Sequence, residues 1–280
     1  MDFTFTEDQL LFQESVRDFL VNEVTPERIR ESWESDTGRS DGLWGQLAEL
    51  GLTGITVPEE YGGLGMNELD FVLLAQECGY VALPEPLVHT ALVAVPLLIE
   101  IGGELAREWL PKIAAGEAKV IVGLEQNLLV EDAHVADLLL LQRGDSIVAA
   151  TPGQVTLRHN ESVDPSRKLY AVEAAEAGRT VAGGEEAARL LSNALDRGAL
   201  GAAAQALGLT QRMIDISVQY TAERQQFGQA IGAFQAVKHQ MANVAVRLEY
   251  AKAPVHRAAY AVAHDQEVAS HAVSHAKLVA

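Results

Sequence analysis

The chain has 280 residues and 48% of them are apolar, which is enough for a sizeable core in one large or two to three smaller domains. Its 39 acidic residues against 21 lysines and arginines give a net charge of −18, which excludes nucleic acid and an anionic membrane surface as expected partners. No signal peptide and no apolar run long enough to span a bilayer is present, so we expect a cytoplasmic protein.

Residues 1–118 have the pattern of an N-terminal helical domain. Helices are predicted from the N-cap Thr6, over Ser40–Leu50, from Asn67 through Cys78, over Thr90–Ile101 and over Glu104–Ala115. Closely spaced glycines make Pro58–Gly65 a loop. Cys78, the single cysteine, lies in an apolar helical pattern, so it is predicted to be buried, and it cannot form an intrachain disulfide.

Residues 119–183 change to short apolar and β-branched runs separated by turns. Strands are predicted over Lys119–Leu124, Ala136–Gln142, Ser146–Ala150, Gln154–Arg158 and Lys168–Val172. Because the region is short, we expect a small middle β domain. No strand is followed by G-x-G-x-x-G, so a Rossmann nucleotide site is not expected.

Residues 184–280 return to helical periodicity. Long helices are predicted over Glu185–Glu223 and Phe234–Asp265, with a kink at Pro254, and a third begins at Gln266. Long helices joined by short turns form an antiparallel bundle, which we expect to be incomplete at the C-terminus because a fourth helix is missing. The predicted fold class is mainly α: an N-terminal helical domain, a small middle β domain and a C-terminal antiparallel helical bundle.

The turn between the two long helices carries residues suited to anion recognition. Arg224 offers a planar, permanently charged fork of donors for a pyrophosphate. Gly228 and Gly232 allow tight backbone turns, and Gln235 and His239 share one face of the next helix. The alternative is an ordinary inter-helix turn with a solvated arginine.

Four stretches resemble the signatures of the acyl-CoA dehydrogenase family. They are F-T-E-D-Q-L-L-F-Q near the start, L-W-x-x-L-A-E-L-G-L, the loop P-E-E-Y-G-G-L-G, and R-x-Q-F-G followed by I-x-x-F-Q-A-V-x-H. The order of helical, β and helical regions is also similar. The resemblance implies FAD, an acyl-CoA thioester that is desaturated between its α- and β-carbons with hydride transfer to flavin N5, and electron-transfer flavoprotein as the acceptor.

The resemblance also assigns cofactor-binding residues. Arg224 and Gln226 would contact the pyrophosphate of FAD. This FAD would be bound to a neighbouring subunit in a homo-oligomer or hetero-oligomer. Phe227 would pack beside them, while Phe234 and Gln235 would lie near the adenosine end. Simple core packing is the alternative for the two phenylalanines.

The middle region departs from the family pattern. The loop that touches the flavin ring in relatives matches Leu124–Asn127 here, where Glu125 is the clear correspondence. Asp164–Arg167, D-P-S-R, resembles a strand-end motif of the family.

No residue is assigned as the catalytic base. Removal of the α-proton needs a carboxylate that reaches the α-carbon. Relatives place this glutamate either on the first bundle helix, where the matching position is Gly198, or in a late loop, whose matching position lies past Ala280. Asp196 and Arg197 match positions near the thioester and CoA and are implied as substrate contacts. For Asp196 the alternatives are the base itself, although it is offset by two residues from the matching position, and a charge at the N-terminal end of the helix.

With its compact β region and without the glutamate, the sequence resembles the degenerate partner subunit of heteromeric bacterial acyl-CoA dehydrogenases. Those enzymes are associated with CoA thioesters of steroid side chains and similar bulky acids. Two interpretations stay open: a FAD enzyme subunit that desaturates acyl-CoA, and a non-catalytic structural partner that completes the FAD site of another subunit. A third, a helical interaction protein without a small ligand, would be excluded by bound flavin.

His271 and His275 stand four residues apart on a predicted helix and are a feasible pair of metal ligands. No carboxylate or cysteine stands at matching spacing, and a polar helix face explains the pair equally well. No metal is predicted.

Overall fold

The computed structural model describes residues 4–174 and 178–280 and confirms a mainly helical chain with a small β region between helical segments. Its helices are α1 (Glu7–Glu23), α2 (Pro26–Glu34), α3 (Asp41–Glu49), α4 (Glu68–Tyr80), α5 (Leu87–His89), α6 (Val95–Ile101), α7 (Gly103–Ala114), α8 (Gly184–Glu223), α9 (Gln235–His264) and α10 (Gln266–Val279).

Side-chain caps explain where several helices begin. Thr6 Oγ1 accepts from the amide of Gln9 at 3.2 Å, and the amide of Thr6 donates to Gln9 Oε1 at 2.8 Å, which forms a capping box before α1. The side chain of Ser40 caps α3. The prediction missed α2, which Thr25 caps, because Ser32 is the single buried residue among its nine and no apolar stripe marks it.

Residues 87–101 form three helical pieces instead of the one helix predicted over Thr90–Ile101. A π-helical segment, Thr90–Ala94, lies between α5 and α6. The hydroxyl of Thr56 donates to the carbonyl oxygen of Ala91 at 2.7 Å, which satisfies a backbone acceptor inside the π-helical segment. Every residue from Thr90 to Leu98 is buried, so this stretch belongs to the core on all sides.

The strands between Val120 and Gly183 form two sheets. They are β1 (Val120–Gly123), β2 (Val130–Glu131), β3 (Leu138–Arg143), β4 (Ser146–Ala150), β5 (Val155–Asn160), β6 (Leu169–Ala174) and β7 (Arg179–Gly183). One sheet has the order β1-β3-β4-β7, with β1 parallel to β3 and antiparallel pairs after it. The other has the antiparallel order β2-β6-β5. The prediction missed β2, which has two residues, and β7, which is mostly exposed.

The long helices α8 and α9 have 40 and 30 residues. A short hairpin of β8 (Gln225–Gln226) and β9 (Gln229–Ala230) joins them. Pro254 lies inside α9 without ending it. Among the described residues, no helix combines the length and the apolar character needed to cross a membrane.

The chain divides into two compact units. The first contains Met1–Asn22, Val72–Leu83 and Ala199–Ala280, and the second contains Glu23–Phe71 and Pro84–Gly198. Within the first unit, α4 and α8 approach closely, since a Cβ added to Gly208 would lie 1.8 Å from the carbonyl oxygen of Gln76. Cys78 is buried there, as predicted, and burial raises the pKa of its thiol to about 12.

Candidate functional site

The hairpin after α8 presents the arginine motif. The amide of Arg224 donates to the carbonyl of Tyr220 at 2.9 Å, and the carbonyl of Arg224 accepts from the amide of Ile231 at 2.8 Å. Phe227 and Gly228 form the tip, with φ of 54° and 80°. Two consecutive positive φ angles are typical of a two-residue hairpin turn, and glycine adopts them freely, whereas phenylalanine is strained in this region.

Five of the six predicted cofactor residues lie between Arg224 and Gln235, on this hairpin and at the start of α9. Arg224, Gln226 and Gln235 are exposed, and Phe227 is 92% exposed. The ring of Phe227 meets that of Phe234 edge-on, with centroids 6.2 Å apart. Within the described residues the guanidinium of Arg224 has no ion-pair partner. An exposed guanidinium in the same short segment as two exposed glutamine side chains fits a pyrophosphate, which needs N–H donors.

A mostly apolar cavity of about 300 Å³ lies beside the hairpin. Its lining is Val218, Thr221, Ala222, Ala230, Gly232, Val237, Lys238 and Met241. Gly232 lets the chain approach α8, because a Cβ there would lie 2.9 Å from the carbonyl oxygen of Thr221. The hairpin is therefore seated on a defined surface of the first unit.

Glu125, the predicted flavin-ring contact, lies in the exposed loop after β1. Its amide donates to Gln142 Oε1 at 3.1 Å, and its Oε1 accepts from the amide of Gly144 at 2.9 Å. These two bonds tie the loop to the β3–β4 turn in the second unit. A contact of Glu125 with flavin stays a prediction.

The D-P-S-R turn has a structural use that its sequence did not reveal. Asp164 Oδ1 accepts from the amide and hydroxyl of Ser166 at 3.0 and 2.7 Å, and the carbonyl of Ser166 accepts from Arg39 Nη1 at 2.7 Å. The same guanidinium forms a buried ion pair with Asp132. Burial raises the pKa of Asp132 to about 7, although the charge of Arg39 acts in the opposite direction.

Gly198, the position matched to the family's glutamate, lies on α8 in the second unit. A Cβ added there would lie 3.6 Å from Val93 Cγ2, an ordinary contact distance, so the first atom of a side chain has room. Val93 belongs to the π-helical segment. Glycine itself offers no group that could take up a proton, and Asp196, two residues earlier, is half-buried.

Arg197, a predicted substrate contact, is enclosed by carboxylates. Its Nε donates to Glu68 Oε1 at 2.7 Å and its Nη1 donates to Glu100 Oε1 at 2.6 Å. Glu100 also accepts from Arg189 at 2.9 Å and Asn193 at 3.0 Å. We call these five residues the Arg197 cluster. No sequence signal pointed to Glu68 or Glu100, and substrate contact by Arg197 stays a prediction.

His89 is a further polar residue that the sequence did not single out. It ends α5, and its Nε2 accepts from the amide of Val122 in β1 at 2.9 Å. Burial lowers the pKa of the imidazole to about 4, against the charge of Glu131, which acts to raise it. The imidazole is therefore neutral. Among the described residues, no group of three or more histidines, cysteines and carboxylates could hold a metal ion.

Two family models match the chain: the acyl-CoA dehydrogenase N-terminal domain over residues 6–117 and the acyl-CoA dehydrogenase C-terminal domain over residues 188–280. The chain is similar to acyl-CoA dehydrogenase IpdE2 of Mycolicibacterium smegmatis, with 31% identity over 252 residues that cover 90% of this chain and 76% of the relative. It is 30% identical over 264 residues to IpdE2 of Mycobacterium tuberculosis, covering 91% of this chain and 76% of that protein.

Solved structures share the fold. A chain of the ChsE4-ChsE5 complex from Mycobacterium tuberculosis matches with a TM-score of 0.85 at 22% identity, covering 100% of this chain and 84% of that one. Butyryl-CoA dehydrogenase from Megasphaera elsdenii matches with a TM-score of 0.82 at 20% identity, covering 99% and 86%. The two family models and the IpdE2 relatives together show that this chain belongs to the acyl-CoA dehydrogenase family.

Proposed function

We propose that the chain is a subunit of a FAD-dependent acyl-CoA dehydrogenase, which desaturates an acyl-CoA thioester between its α- and β-carbons. The observation that carries this proposal is the hairpin at Arg224, whose guanidinium is exposed and has no ion-pair partner within the described part of the chain. A strained, outward-facing Phe227 at the tip of the hairpin is typical of a binding site, since backbone strain concentrates there.

Residues of the hairpin would hold the cofactor. Arg224 and Gln226 would donate to the pyrophosphate of FAD, which lies on a neighbouring subunit because both side chains face outward. Phe227 would pack beside the pyrophosphate, with Phe234 and Gln235 towards the adenosine end. Bound FAD would supply the N5 position that accepts the hydride from the β-carbon. Glu125 would border the ring from the loop after β1.

A second function is favoured by Gly198. A family member that removes the α-proton needs a carboxylate near the α-carbon, and glycine supplies none at this position. The donors of the neighbouring Arg197 already meet two carboxylates. The chain would then act as a non-catalytic partner that completes the FAD site of a catalytic subunit.

The relatives suggest the kind of assembly and substrate. The chain is similar to one chain of a two-protein complex, ChsE4-ChsE5, and to a protein described as a steroid acyl-CoA dehydrogenase. We therefore propose a hetero-oligomer with a second acyl-CoA dehydrogenase subunit, acyl-CoA thioesters of bulky acids as substrates, and electron-transfer flavoprotein as the electron acceptor.

The test is the visible absorbance spectrum of the chain purified alone and co-expressed with a second acyl-CoA dehydrogenase subunit encoded beside it. We expect a flavin band with the partner, and at least a tenfold loss of flavin affinity in Arg224→Ala. Arg107→Ala is the matched control, because Arg107 is exposed on α7 in the other unit. If the chain purified alone shows a flavin band, and acyl-CoA bleaches that band, the interpretation as a non-catalytic partner is wrong. Absence of flavin from every sample would sink both.

A further inference from the structure

His89 occupies the free edge of β1. In its sheet β1 pairs on one side with β3, and the other edge is left for contacts from outside the sheet. The imidazole Nε2 accepts a hydrogen bond from the amide of Val122 on that edge at 2.9 Å. Val122 is the third of the four residues of β1, and the strand runs on into the loop that contains Glu125.

The bond to Val122 fixes the tautomer of His89. A backbone amide can only donate, so Nε2 must accept and carries no proton. The neutral imidazole therefore carries its proton on Nδ1, where it is a donor. In the described part of the chain, Nδ1 has no hydrogen-bond partner, and the side chain is not fully enclosed.

Thr90, the residue after His89, also has a side-chain polar group without a hydrogen-bond partner among the described residues. This group is its buried hydroxyl oxygen. A helical threonine commonly bonds back to a carbonyl of the preceding turn, and Thr90 does not. His89 and Thr90 stand where α5 gives way to the π-helical segment, and π-helical turns are frequent at functional sites. Thr90 is fully buried, so the side chain available to a ligand is the partly exposed imidazole of His89.

We propose that His89 is a ligand-binding residue whose Nδ1–H donates a hydrogen bond to a carbonyl oxygen of the molecule held at the carboxyl end of β1. This inference rests on the proposed function, since it makes that molecule the flavin or the acyl-CoA thioester. Both offer the same chemistry, a carbonyl acceptor. Val122 positions the ring, and the neutral state keeps a fixed donor in place without adding a charge.

The test follows the ring nitrogens directly. The chain is labelled with ¹⁵N-histidine, prepared with its partner subunit, and recorded by long-range ¹H–¹⁵N correlation between pH 6 and 8. Flavin retained on purification is removed first, and FAD and butyryl-CoA are then added in separate samples. We expect His89 as the Nδ1–H tautomer throughout, with a shift of its Nδ1 signal on one of the two additions, which identifies the source of the carbonyl. The exposed His275 on α10 is the internal control and should not shift.

Two variants test whether the hydrogen bonds of the His89 side chain contribute to ligand affinity. His89→Gln keeps an acceptor for the amide and a donor for the ligand, so flavin or thioester affinity should stay within about twofold. His89→Leu removes both, and we expect about a tenfold loss of affinity, equivalent to about 1.4 kcal/mol. Equal affinity in the two variants would show that the hydrogen bonds of His89 contribute nothing to ligand binding.

The outcomes distinguish this inference from the proposed function. An Nε2–H tautomer, or a wild-type Nδ1 signal that neither ligand moves while flavin is bound, overturns the role of His89 and leaves the flavoprotein assignment standing. If no wild-type sample, alone or with its partner subunit, retains flavin, both are overturned.

Discussion

The hairpin at Arg224 and the Arg197 cluster place two arginines of similar predicted purpose in opposite surroundings. Arg224 is exposed and has no ion-pair partner among the described residues, whereas Arg197 is 9% exposed and meets two carboxylates at 2.6 and 2.7 Å. The donors of Arg224 are available to another molecule, whereas donors of Arg197 bind carboxylates inside the fold. Changes at the hairpin should therefore weaken binding, and changes in the cluster should weaken folding.

The largest effect is expected at Arg197. Arg197→Ala leaves Glu68 and Glu100 without their shared cation, and removing one member of a buried ion pair costs about 3–5 kcal/mol. Arg189→Ala is the control, because its side chain is 57% exposed and contacts the same Glu100, so a loss of about 0–1 kcal/mol is expected. Urea unfolding of both variants gives the comparison.

The opposite result would reverse the assignment of Arg197. If Arg197→Ala unfolds at the same urea concentration as the wild type but binds acyl-CoA more weakly, Arg197 is the substrate contact that its sequence position predicts. The two arginines would then work alike, and the contrast between hairpin and cluster would disappear.

A smaller effect on stability is expected from a change in pH, through the largely buried imidazole of His89. The folded pKa of His89 is lowered to about 4 from an ordinary value of 6.5. Below pH 6.5 the unfolded chain therefore binds a proton that the folded chain does not, and stability falls as the pH drops towards 4. The loss is at most about 3 kcal/mol.

His89→Gln isolates this contribution, because glutamine does not titrate and can still accept from Val122. The stability of the variant should depend less on pH between 6.5 and 4 than that of the wild type, when both are measured by thermal unfolding. Buried carboxylates such as Asp132 titrate in both proteins and cancel in the difference. Parallel profiles would show that His89 takes up a proton in the folded chain as readily as in water.

Local signals made most of the fold predictable. Thr6 and Ser40 are helix caps that lie beside the helices they begin, and the strand Ser146–Ala150 was predicted with the bounds that it has. The π-helical segment was missed because every residue in it is buried, and a continuous apolar run does not distinguish one helix type from another. The sequence therefore predicted where this helix lies but not its hydrogen bonding.

The candidate site also has parts that could be predicted from the sequence and parts that could not. The hairpin residues from Arg224 to Gln235 are neighbours in sequence, so their gathering was predictable. Arg197 meets Glu68 and Glu100, which lie 129 and 97 residues away, and nothing near any of the three predicts the others. His89 and Val122, 33 residues apart, are hidden in the same way. Contacts made by tertiary packing decide whether a polar residue is free for a ligand.

The smallest effect should come from the hairpin tip, and its sign differs from the others. Phe227 holds φ at 54°, a region that asparagine tolerates better than phenylalanine. Phe227→Asn should therefore stabilise the isolated chain by up to about 1 kcal/mol while lowering flavin affinity in the assembled enzyme. Gly228→Ala is the matched control: it adds a Cβ at φ 80° and should destabilise by a similar amount. If Phe227→Asn weakens folding and leaves flavin affinity unchanged, the exposed ring supports the hairpin itself, and the strain at the tip serves no ligand.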